Sequence, residues 1–243
     1  MFLLVLSGMA KYTAYSSGGQ NAAVFNEMPY SVKALLGMGS FDVTTMAGYF
    51  AMLFLYIELA AAIHAALLGA SIISKEERDK TTEFLMIKPV SRKTVITSKL
   101  LAAFFNVAIV NIVTLVACVT MVTKYNKGVD ITEKVLMFML SMFIVQLIFL
   151  SLGAALASFT KNSKSSGSLT MGLLLIAFII SKITDLTDKI NVLNILSPFK
   201  YFSYADLVGG KGLDSVIVIL SLLLVAALAA SIYIFYPKRD LTV

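Results

Sequence analysis

The 243-residue chain has no tryptophan, one histidine (His64), one cysteine (Cys118) and four prolines. A lone cysteine inside an apolar run excludes both a disulfide framework and a cysteine-built metal site. No G-x-x-x-x-G-K-[ST] phosphate loop occurs; Gly210-Lys211-Gly212 is only a loop tripeptide. No cofactor is therefore expected on this chain, and any nucleotide chemistry must come from another one. Charged residues make up 14% of the sequence, against about 25% in soluble domains. Without tryptophan, tyrosine must supply any aromatic belt at a membrane surface.

What fills the chain is apolar sequence: 58% hydrophobic residues and a mean hydropathy of +0.87. A helical crossing takes about 20 apolar residues, so five or six crossings with short connections consume the length. The reading is an all-α polytopic membrane protein with about six transmembrane helices, forming a single transmembrane domain over residues 1–243. The net charge of +6 sits at the ends of apolar runs, which orients spans in a bilayer and makes nucleic acid an unneeded partner.

In chain order, Met1–Ala10 is apolar but too short to cross, and reads as part of a first span that is truncated. Lys11–Phe41 is a polar loop with a short surface helix, and Asp42 a candidate cap. Val43–Ser74 is a 32-residue apolar segment, about 48 Å long as one helix, so it must tilt, bend or protrude. Spans follow at Leu100–Thr123, Ile131–Phe159, Gly167–Ile183 (at the short limit) and Ser215–Tyr236. An aromatic-bearing connection, 184–214, precedes the last; Phe199, Tyr201, Phe202 and Tyr204 there read as an interfacial belt in preference to a gate. Gly153-Ala154-Ala155 permits close helix approach.

Lys75–Lys99 is the one long charged segment between apolar runs, with seven of the twenty Lys and Arg residues. Ser74-Lys75-Glu76-Glu77 has capping-box spacing, which predicts a fresh helix there. Pro89 ends that helix, and Ser91 can cap the next. Phe84, Leu85, Met86 and Ile87 form an apolar knot that must enter either the headgroup region or a groove on a partner. Lys75–Lys99, Thr160–Ser166 and Tyr236–Val243 hold 11 basic residues in 40, and the opposite loops 9 in 75. The bias places this loop and the C-terminus in the cytoplasm.

The segment KEERDKTTEFLMIKPVSRKTVITSK resembles the first cytoplasmic loop of type 2 permeases of ATP-binding-cassette (ABC) exporters. Thr82, Glu83, Phe84, Leu85, Pro89, Val90, Ser91, Arg92 and Lys99 match the family pattern, whereas Lys80 stands where many members have glycine. Leu196-Ser197-Pro198-Phe199-Lys200-Tyr201-Phe202 is similar to the external segment before the last span in one bacterial branch. The resemblance implies a permease subunit in the bacterial cytoplasmic membrane, paired with a second permease subunit and driven by ABC ATPase subunits that bind the ATP. It implies a coupling helix seated in a cleft on the ATPase: Phe84 and Leu85 as knobs, Glu83 and Arg92 as the polar rim, with Glu76 and Pro89 shaping the helix at its start and end.

Glu58 and His64 lie inside an apolar segment, where a charge at the bilayer centre costs about 2.5–3.5 kcal/mol even on insertion scales. They are candidates for a substrate path, with Asn106 and Asn111. Six residues apart on one helix they do not share a face, and a partnered structural role is the plainer reading for each. Two rival functions stand beside the permease. An intramembrane protease would need an Arg at position 81, where the chain has Thr81, and more histidines than His64 alone. A non-transporting anchor or sensor that recruits an ATPase is the other.

Overall fold

The computed structural model describes residues 1–16, 27–38, 41–82, 90–126, 128, 130–160 and 165–238, without the side chains of 188, 189 and 238. Among these residues all regular structure is helical: α1 (Phe2–Met9), α2 (Tyr12–Tyr15), α3 (Tyr30–Leu35), α4 (Met46–Arg78), α5 (Arg92–Tyr125), α6 (Thr132–Phe159), α7 (Ser165–Leu186), α8 (Tyr204–Gly209) and α9 (Ser215–Phe235). Short 3₁₀ segments cover Asp188–Leu196, Pro198–Lys200 and Tyr236–Lys238. Helices α4, α5, α6, α7 and α9 are long and apolar enough to cross a membrane. The protein is thus an all-α polytopic membrane protein with five candidate spans. The eight residues of α1 make about 12 Å of helix, well short of a bilayer core of roughly 30 Å, so α1 does not join the five.

Helix α4 shows how local chemistry sets the boundaries. Asp42 accepts from the backbone and hydroxyl of Thr44, forming a turn, while Thr45 Oγ1 accepts from Gly48 N at 3.2 Å. The cap expected at Asp42 is therefore one turn later, at Thr45. At the other end the expected fresh helix at Ser74 does not occur. Ser74 is buried, its hydroxyl donates to Ala70 O at 2.8 Å, and the helix runs on to Arg78. A serine inside a helix satisfies its hydroxyl on the carbonyl four residues back, and Lys, Glu and Arg are strong helix formers. The helix then ends in a Schellman motif: Thr81 N donates to Glu76 O (2.8 Å) and Lys80 N to Glu77 O (3.3 Å), with Lys80 at φ 55°. That left-handed conformation favours glycine, the residue the family pattern puts there.

The chain divides into two compact units, one of residues 1–61, 110–142 and 177–217, the other of residues 62–109, 143–176 and 218–243. The first has an aromatic core. Phe54 and Phe138 lie 4.7 Å apart between ring centroids, and Tyr204 packs edge-on to both at 5.5 and 5.7 Å. Short α1 lies against α4 here: Val5 and Met9 are fully buried, and Tyr49 Oη donates to Gly8 O at 2.8 Å. The 3₁₀ segment also turns inward. Phe199 and Phe202 are buried, Phe199 meets Phe178 edge-on at 5.5 Å, and Ser197 Oγ donates to Ala177 O at 2.8 Å. These two rings are core residues and not an interfacial belt, because the Ser197 bond and the fixed φ of Pro198 draw them onto α7.

The second unit is built on small residues. Ala65, Ala66 and Ala70 of α4 are buried, as are Ala154, Ala155 and Ala157 of α6. A Cβ on Gly69 would collide with Leu150 O, and one on Gly153 with Ala66 O. The backbones of α4 and α6 touch, as small residues in membrane helices permit. Within the five candidate spans, 67% of the most apolar stretch of α6 and 56% of that of α4 are buried, against 28% for α7, 22% for α5 and 11% for α9. Of the five candidate spans, α4 and α6 are the most buried.

Candidate functional site

The charged segment between α4 and α5 is held at both ends. Glu76, in the last turns of α4, forms an ion pair with Lys99 of α5, and the two side chains are only 25% and 12% exposed. Ser91 caps α5 by accepting from Thr94 N at 3.1 Å, as its position before the helix predicts. Arg92 Nη1 donates to Pro237 O at 3.0 Å, and Thr97 and Tyr233 share a hydroxyl–hydroxyl bond of 2.8 Å. The start of α5 is thus tied to α4 on one side and to the end of α9 on the other. Glu83, Phe84, Leu85 and Pro89 lie outside the described residues.

Glu58 is 2% exposed and accepts a hydrogen bond from Tyr204 Oη across 146 residues of sequence. Burial, then the nearby Glu58 carboxylate, hold the Tyr204 hydroxyl well above the usual phenol range, so it stays a donor at physiological pH. Close by, Asp185 joins Lys182 (2.6 Å) to Lys200, and Tyr30 Oη reaches Asp185 O at 3.2 Å. The cavity beside them, about 290 Å³, has Lys182, Asp185, Lys200 and Tyr204 on its wall. Its charges are internally paired, so it is a polar anchor for the segment before the last span.

The four candidates for a substrate path are shared between the two units. Glu58 belongs to the first unit and is closed over by Tyr204. Asn111, also there, donates to Met139 O at 3.3 Å and so ties α5 to α6. Asn106 lies on the exposed side of α5 in the second unit. His64, again in the second unit, lines a groove of about 380 Å³ with Leu67, Leu68, Ser71, Ser74, Arg78, Ser166 and Gly167. The sequence offers Tyr204 only as part of an aromatic belt, not as the partner of Glu58, and does not single out Arg78. For Arg78 a signal existed, since residues 64, 67, 68, 71 and 78 fall on one helical face. For Tyr204 none did, because its partner is fixed only by the tertiary fold.

Among the described residues no group of three or more His, Cys, Asp or Glu is placed to hold a metal ion. Comparison with curated proteins finds no significant match. Over residues 1–241 the chain matches the family described as ABC-2 family transporter protein. The chain belongs to that family: it is a multi-pass membrane permease subunit of the ABC-transporter class.

Proposed function

We propose that the chain is the membrane half of an ATP-driven bacterial exporter, moving an amphipathic or hydrophobic substrate by alternating access. In this reading it pairs with a second permease subunit in the cytoplasmic membrane. The loop 75–99 and the C-terminus face the cytoplasm, and separate ATPase subunits supply the work. The observation that carries the reading is the doubly tied base of the loop. Glu76–Lys99 joins the end of α4 to α5, and Arg92 and Thr97 join α5 to Pro237 and Tyr233. A push delivered to residues between Arg78 and Arg92 reaches α4, α5 and α9 together, which a coupling element requires and a loose topogenic loop does not.

Phe84 and Leu85 are the docking knobs, Glu83 and Arg92 the polar rim, and Pro89 the elbow. Phe84→Asp should abolish co-purification of the partner ATPase while leaving the permease folded and membrane-inserted. Undiminished ATPase recovery with Phe84→Asp would rule out docking through this loop.

A further inference from the structure

The groove beside His64 has a chemistry that the permease reading leaves unused. Its wall follows one face of α4 from His64 to Arg78 and is completed by Ser166 and Gly167, in the first turn of α7. Over those fourteen residues α4 rises about 21 Å, which is half of a bilayer of about 40–45 Å including headgroups. The residues that line the groove therefore span about the depth of one leaflet. A free inorganic ion would occupy only a small part of the groove.

The two ends of the groove differ in kind. Leu67 and Leu68 line the end nearer the middle of α4, and Leu67 is 42% exposed, continuing the apolar wall outward. At the far end stand Arg78 and the N-terminus of the 22-residue α7, whose aligned peptide dipoles favour an anion. Asp79 engages Arg78 through Nε at 3.2 Å, in a pair whose side chains are 45% and 42% exposed. Such exposed pairs are weak, and a guanidinium has four further N–H donors. Between the ends, Ser71 and Ser74 give the groove hydroxyls, and Ser166 Oγ donates to Ser74 Oγ at 3.4 Å. His64 closes the inner end, with Nδ1 buried and unpartnered among the described residues.

We propose that this groove seats one anionic glycerophospholipid per chain, its phosphate between Arg78 and the N-terminus of α7 and an acyl chain along Leu67 and Leu68. Charge complementarity at one end and apolar wall at the other select this occupant. Arg78 lies at the start of the loop 75–99, but the lipid site needs no ATPase to be present.

The test uses the full chain in nanodiscs of equimolar phosphatidylglycerol and phosphatidylcholine, followed by native mass spectrometry of the released protein. Wild type should retain one phosphatidylglycerol in preference to phosphatidylcholine, and Arg78→Gln should lower that retention at least fivefold. Lys75→Gln removes the same charge from the same helix end without touching the groove, and should retain lipid as wild type does. Ser71→Phe fills the groove with Arg78 intact and should also expel the lipid, so the proposal survives as a testable one if Arg78→Gln fails to fold. Equal retention by Arg78→Gln and wild type, equal loss in Lys75→Gln, or indifference between the two lipids overturns it. Displacement of phosphatidylglycerol by excess inorganic phosphate would assign the site to the free ion and overturn the lipid assignment.

Discussion

Glu58 sits on α4 where the flanking sequence is apolar, at 2% exposure, and the Tyr204 phenol donates to it. An unpaired carboxyl in that position would carry the full desolvation penalty, while a hydrogen bond from Tyr204 offsets part of it. The two residues should therefore be coupled. Tyr204→Phe should lower the unfolding free energy in detergent by about 1–3 kcal/mol, the usual cost of orphaning a buried acceptor. In a Glu58→Gln background the same change should cost less, because the carboxyl group that Tyr204 serves is gone. Glu58→Gln alone should leave transport largely intact. A Tyr204→Phe effect of equal size in both backgrounds, read by a double-mutant cycle, would show that the pair does not interact. Complete loss of transport in a well-folded Glu58→Gln protein would instead move Glu58 into the transport mechanism.

Between elements, α4 and α6 approach closely, where Gly69 and Gly153 leave space that carbonyl oxygens of the facing helix occupy. Gly69→Ala and Gly153→Ala should each destabilise by about 1–3 kcal/mol, as overpacking of a close contact does. Gly172, on α7 with nothing within 4 Å of an added Cβ, is the control. Gly172→Ala should be neutral or stabilising by up to about 1 kcal/mol, since alanine is the better helix former. Thermal unfolding of the three variants in one detergent separates packing from propensity; equal shifts in all three would mean the α4–α6 contact is not tight.

The spans themselves were legible from apolar runs, because burial in lipid demands length and apolarity and little else. Their ends were less so. Helix α4 passes Ser74 and α5 starts at Arg92, eight residues ahead of the apolar run at Leu100, because charged residues with strong helix propensity carry the backbone beyond the greasy part. The inward turn of Phe199 and Phe202 was hidden as well, since a bond from Ser197 to a carbonyl twenty residues earlier decides it. Of the candidate site, the flanks Ser91 and Arg92 could be placed from sequence. The Glu76–Lys99 pairing and the tie from Arg92 to Pro237 depend on which helices meet, and that information is spread over the whole chain.

For the molecule as a whole, the side of the membrane on which the tied loop lies decides whether an ATPase can reach it. The basic excess of 11 residues in 40 against 9 in 75 favours the cytoplasm, because Lys and Arg near span ends resist translocation. With the five candidate helices among the described residues all crossing, fixing one loop fixes the others by alternation. Ser91 is a suitable reporter position: it is exposed and precedes α5 without belonging to it, so a thiol there remains open to reagent. Cys118 is the only native cysteine and is buried, and Cys118→Ser removes its background. In that background Ser91→Cys should resist an impermeant maleimide in intact cells and react once the membrane is permeabilised. Ready labelling of intact cells would place the loop outside, beyond the reach of any cytosolic motor, and the proposed coupling through Phe84 and Leu85 would fail with it.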